Sequence, residues 1–123
     1  MLVYRVENKY LKGPYTSYSN RHFSQTELFN FCGERHPNPF NDEGICDFWC
    51  GNSRRLSFYF GFKSIEDLKD WFFMDEAIDA LYKDDFHVIV YNLDKRRVIF
   101  GSKQVIFEKE KATIVGGFDL RFI

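Results

Sequence analysis

The strongest constraint in this sequence is a change of period along the chain. Leu2 to Glu7 alternates as a strand does, with Leu2, Tyr4 and Val6 on one face and Val3, Arg5 and Glu7 on the other. Leu56 to Phe62 carries large residues on both faces and predicts a strand central in a sheet. The period then becomes helical. Ser64 is placed to accept the Asp67 N–H as an N-cap, Glu66 and Asp67 suit the positive helix end, and Ile65, Leu68, Trp71 and Phe72 make one apolar stripe. After Met74-Asp75, a second helical stretch sets Ala77, Ile78, Leu81 and Tyr82 on one face. From Phe86 the period returns to two: Phe86–Leu93, Arg97–Phe100, Gln104–Phe107, Ala112–Val115 and Phe118–Phe122 read as strands. Turns at Asp94–Arg96, Gly101-Ser102, Glu108–Lys111 and Gly116-Gly117 separate them. Six or seven strands with two or three helices between them predict a single α+β domain over residues 1–123, its sheet mostly antiparallel or split.

Two other segments are less regular. Gly13-Pro14 marks a turn, and Ser24-Gln25-Thr26-Glu27 has capping-box spacing ahead of Leu28, Phe29, Phe31 and Cys32, predicting a short helix that ends near Gly33. Residues 34–53 hold two of the three prolines together with several Asn, Asp and Gly, which predicts a long irregular loop. Phe40, Phe48 and Trp49 give that loop apolar surface, and they are the residues expected to meet a partner.

Fifteen Phe, 7 Tyr and 2 Trp in 123 residues are far too apolar a set for a disordered chain. Seventeen Lys and Arg against 18 Asp and Glu leave a net charge of −1, so no overall basic field attracts nucleic acid or anionic lipid; only a local patch could. The early charges exclude a signal-peptide core at the N-terminus, and no apolar run approaches a membrane span, so no membrane association is expected. Three cysteines, an odd number, fit reduced thiols, and the expected compartment is the cytoplasm.

Cys32, His36, Cys46 and Cys50 offer four nitrogen and sulfur ligands of the kind that hold tetrahedral zinc. Their three-residue spacings are not those of a zinc knuckle, and burial of free cysteines as small apolar groups is the commoner arrangement, so metal is expected to be dispensable. His87 lies within a strand and reads as a packed residue. Arg54-Arg55 ahead of Ser57-Phe58-Tyr59-Phe60 has the basic and aromatic mixture of a single-strand nucleic-acid surface, but core aromatics beside solvated arginines give the same pattern. No Ser-His-acid grouping or Gly-rich phosphate loop occurs.

The order of these elements resembles the small ADP-ribosyltransferase fold. Tyr4-Arg5 on the first strand, Ser57-Phe58-Tyr59-Phe60-Gly61-Phe62 leading into the helix Ser64–Phe73, and the later runs Val88–Tyr91, Val98–Ser102 and Gln104–Phe107 carry the resemblance over residues 2–115. It implies that Arg5 orients a nicotinamide dinucleotide, that Ser57 or Tyr59 supplies the second motif, and that Gln104 stands at the catalytic glutamate position, with NAD as the possible cofactor. A neutral amide there cannot stabilise positive charge on a ribose as nicotinamide leaves. Glu108 lies about 13 Å further along an extended chain, too far to replace it. The chain also resembles small phage and prophage proteins that share Tyr4-Arg5-Val6-Glu7, Gly13-Pro14-Tyr15, His36-Pro37 and Gln104-Val105-Ile106-Phe107. Together the two resemblances imply a phage-type protein that binds a macromolecular partner, foremost a host defence complex, without catalysis. An atypical mono-ADP-ribosyltransferase and a nucleic-acid-binding module are the alternatives.

Overall fold

The computed structural model describes residues 1–14, 42–73 and 75–123, without the side chains of Arg55 and Leu56. The helix expected after Ser24 lies outside the described residues. Within them the protein is α+β, with two antiparallel three-stranded sheets and three α-helices.

The first sheet has the order β1 (Leu2–Glu7), β3 (His87–Asn92), β6 (Thr113–Phe118). Central β3 has the β-branched and aromatic content that suits a strand covered on both faces, and Val88, Ile89 and Tyr91 are buried. Its register with β1 sets Val3 opposite Tyr91 and Glu7 opposite His87. The second sheet has the order β2 (Phe58–Gly61), β5 (Val105–Glu108), β4 (Val98–Phe100). Among the described residues β2 is an edge strand of four residues, and not the longer central strand its sequence predicts. Its two-sided apolar character has another cause: one face meets the first sheet and the other is covered by a helix.

The alternation of each strand assigns these layers. Val6 and Val88 on one face of the first sheet pack with Leu68, Trp71 and Phe72 from α2 (Ile65–Trp71) and its C-terminal end, and with Ala77 and Leu81 from α3 (Asp75–Lys83). Val3, Ile89 and Tyr91 on the opposite face pack with Val98, Val105 and Phe107 of the second sheet. Phe58 and Ile106 on the far side of that sheet meet Ile45, Phe48 and Trp49 at α1 (Cys46–Gly51). The layers thus run helix pair, sheet, sheet, helix. The Ser64 hydroxyl accepts the Asp67 N–H at 3.1 Å and starts α2 as expected.

The two sheets join at one corner, where Tyr4 and Phe62 exchange a pair of 2.8 Å main-chain hydrogen bonds. Gly61 beside them leaves no room for a side chain: a Cβ there would stand 2.6 Å from Val3 Cγ1 and 3.1 Å from the Tyr4 carbonyl oxygen. Helix α1 corrects the expectation of irregular chain throughout 34–53. Buried Asp42 organises its start, accepting Ser102 N at 2.9 Å and Gly44 N at 3.3 Å, and its apolar residues then seat on β2. A second correction concerns Gly116-Gly117, which do not break the chain. Strand β6 runs through them with a register shift opposite Val90/Tyr91, and the expected last strand is a 3-10 turn at Leu120–Phe122.

Candidate functional site

The most concentrated polar chemistry lies between the sheets, at the Glu7 end of β1. Residues two apart on a strand share a face, so Arg5 and Glu7 both point toward the second sheet. Glu7 is completely buried, and three donors converge on its Oε1: Arg5 Nε at 2.8 Å, the Tyr91 hydroxyl at 2.8 Å and Lys109 Nζ at 2.9 Å. Its Oε2 is buried with no hydrogen-bond partner among the described residues. Two flanking cations make a buried carboxylate tolerable, since the desolvation of an unpaired charge would cost several kcal/mol, of the order of 3–5.

Each cation is also tied elsewhere. Arg5 Nη1 donates to the Phe60 carbonyl at 2.6 Å, and Lys109 Nζ donates to the Leu11 carbonyl at 2.8 Å. The guanidinium lies against the backbone at Gly13, where a Cβ would stand 2.8 Å from Arg5 Nη2. Both cations sit near the Tyr59 ring, Lys109 Nζ at 4.9 Å and Arg5 Cζ at 5.3 Å from its centroid. Burial pushes the Tyr91 hydroxyl pKa up, and the hydrogen bond to Glu7 adds to that shift. Burial pushes the Lys109 ammonium down, against the opposing pull of Glu7, with Arg5 and Lys12 lowering it further.

The turn after β1 carries this cluster to the surface. Asn8 is buried, and its side-chain oxygen accepts the N–H groups of Tyr10 and Lys12 at 2.9 and 3.1 Å, holding a tight turn with Leu11 at φ 59°. Tyr10 is 59% exposed, with Lys9 Nζ 5.1 Å from its ring; Lys12 is exposed on the same turn, and Tyr59 is exposed on β2. Lys9 and Lys12 are exposed on this turn, and beneath it Arg5 and Lys109 pair with Glu7. The result is a local basic and aromatic shelf.

Of the residues the ADP-ribosyltransferase resemblance singles out, only Arg5 and Tyr59 come together. Ser57 is turned into its own 3-10 turn, donating to the Arg54 carbonyl at 2.8 Å. Gln104 is buried just ahead of β5, where its carbonyl accepts Gly101 N at 2.8 Å and closes the β4–β5 connection. Tyr59 pairs with Phe107, three residues from Gln104 and so about 10 Å along the strand. Arg5, the residue that the resemblance assigns to the dinucleotide, is engaged here by Glu7 and by the Phe60 carbonyl.

The other candidates fall elsewhere. Phe48 packs 4.5 Å from Phe58 and Trp49 5.3 Å from Phe60, so both rings cover β2; Phe40 lies outside the described residues. Cys46 is half-buried and Cys50 exposed, one turn apart on α1, while Cys32 and His36 lie outside the described residues. Among the described residues no three His, Cys, Asp or Glu side chains gather as a metal-binding group. Sequence reasoning missed Glu7, Tyr91 and Lys109. The available signal was a charged pair, Arg5 and Glu7, on the same strand face as apolar Val3.

What the fold and this cluster define is a small two-sheet α+β protein with a buried ionic knot beneath a basic surface turn. The family model for the bacteriophage T4 Y00F protein matches residues 1–121, and the chain belongs to that family. No curated protein and no solved structure matches it. Among the described residues no helix is long and apolar enough to cross a membrane.

Proposed function

We propose that this phage-family protein works by stoichiometric binding of an acidic protein surface through the exposed Lys9, Tyr10, Lys12 and Tyr59, without turnover. The observation that carries this reading is the joint exposure of Lys9, Tyr10 and Lys12 on a turn held by buried Asn8, with Lys109 bridging that turn to the Tyr59 ring. Exposed tyrosines on a rigid mount supply contact area at little entropic cost, and the cations select an acidic counterpart and speed encounter. The cations nearest the cluster serve structure, which disfavours ADP-ribosyl transfer. Because the family is a phage family, a host complex is the partner we propose, with a defence complex foremost.

The test is affinity capture from host cells with wild type and a Lys9→Glu/Lys12→Glu variant, with mass spectrometry of whatever is retained. A stoichiometric protein held by wild type and lost by the variant supports the reading. Co-purified nucleic acid replaces it with a nucleic-acid-binding module. A partner heavier by one ADP-ribose unit, with nicotinamide released, replaces it with the transferase.

A further inference from the structure

Helix α1 turns two faces to different surroundings. Ile45 at its start, with Phe48 and Trp49 three and four residues on, packs with Phe58, Phe60 and Ile106 of the second sheet. Cys46 and Cys50 lie off that face, the first half-buried and the second exposed, and both are free thiols. They are four residues apart, so one helical turn stacks them on the same side as neighbours, about 5–6 Å apart at Cβ. Helical side chains lean toward the N-terminus, which carries the Cys50 thiol back over the turn that holds Cys46. The Cys46 sulfur stands 3.8 Å from the Glu43 carbonyl oxygen and 3.9 Å from Asp47 Oδ1. A thiol is a weak donor and these contacts are long, so little is lost when the sulfur turns toward Cys50.

The spacing decides what the pair can hold. A disulfide needs its Cβ atoms about 3.5–4.5 Å apart, so closing one here requires α1 to unwind and to lift Phe48 and Trp49 from β2. A cation between the sulfurs requires no such change, because two metal–thiolate bonds of about 2.3 Å set the sulfurs up to about 4.6 Å apart. Ligand number then selects the metal. Zinc takes three or four protein ligands, whereas among the described residues no three His, Cys, Asp or Glu side chains gather. Cu(I) is soft, takes thiolates in preference to the hard oxygens of Glu43 and Asp47, and is satisfied by two of them.

We infer that Cys46 and Cys50 form a two-coordinate thiolate site for a soft monovalent d10 cation, Cu(I). Binding exchanges two S–H bonds for two S–Cu bonds and releases two protons to solvent, with no change of oxidation state. The fold does not need the metal, because the opposite face of α1 seats the helix. This site is independent of the binding surface proposed at Lys9–Lys12, and its test involves no outside protein.

The test is anaerobic titration of the full, reduced chain with Cu(I) in competition with a chromophoric Cu(I) chelator. The expected result is one Cu(I) per chain, with a thiolate-to-copper ultraviolet band and tighter binding as pH rises. Cys46→Ser and Cys50→Ser should each weaken binding by about a hundredfold or more, since losing one arm forfeits the chelate. The urea unfolding midpoint of the metal-free chain should stay in place in both variants, and Cys32→Ser should leave the affinity unchanged. A wild-type affinity no better than that of either single variant overturns the inference. So does dependence on Cys32, or a copper shared between two chains, since neither uses the pair on α1.

Discussion

Glu7 is the residue on which the most separate parts of the chain converge: β1 through Arg5, β3 through Tyr91, and the turn after β5 through Lys109. Glu7→Gln keeps the shape and removes the charge, leaving two buried cations without a counterion. The amide must also place its NH2 group either among three donors or at the unpartnered Oε2 position. A loss of roughly 3–5 kcal/mol is expected in urea unfolding, the range for breaking a buried pair. Tyr91 and Lys109 make the alkaline limb of stability informative. Tyr91 has its pKa raised above the ordinary 10.0, so its contribution is complete below pH 10 and is lost as pH climbs toward the folded-state value. Lys109 has its pKa lowered from 10.5, so its charge is a burden below the folded-state value that lifts as pH rises. The two act in opposite directions, and Tyr91 accounts for the part that falls as pH rises above 10. Tyr91→Phe should remove that fall above pH 10, and denaturant titrations at stepped pH will show whether it does.

At the scale of elements, the corner between the sheets and the seat of α1 are the sensitive joints. Gly61→Ala places a methyl group against Val3 and the Tyr4 carbonyl oxygen where neither neighbour has space to retreat. An overpacking cost of about 1–3 kcal/mol is expected in thermal or urea unfolding. Trp49→Ala removes a half-buried ring from Phe60. Its expected cost is about 2–3 kcal/mol of stability, at or below the range for a fully buried aromatic. Partner affinity per folded molecule should stay the same. An affinity loss above 1 kcal/mol with stability intact would instead return Trp49 to the interface expected from its loop-like sequence.

For the whole molecule, the net charge conceals an uneven distribution. A chain at −1 exposes Lys9 and Lys12 together on one turn, so binding to the proposed acidic surface should weaken as salt rises. Titration of the captured partner at two ionic strengths measures this. Tyr10→Ala, at an exposed turn tip, should cost more than about 1 kcal/mol of binding while the unfolding midpoint barely moves.

Much of the architecture was legible because local chemistry specified it. The alternation of Leu2–Glu7 and Phe86–Leu93, the cap at Ser64 and the apolar stripes of α2 and α3 each depend on neighbours two to four residues apart, where strand or helix geometry alone decides which side chains share a face. Seeing Arg5 and Glu7 on one face belongs to the same class. Helix α1 was not legible: its six residues sit in turn-rich sequence, and contact with Phe58 and Phe60 overrides weak local preference. The Gly116-Gly117 pair signalled a break, yet pairing with β3 carries the strand through it. Only the tertiary structure brought Tyr91 to Glu7 across 84 residues and added Lys109 from beyond β5, while leaving Gln104 near the other end of that strand. Such meetings depend on strand register and on how two sheets face one another. Periodicity determines which way a side chain points, and long-range pairing determines what it meets there.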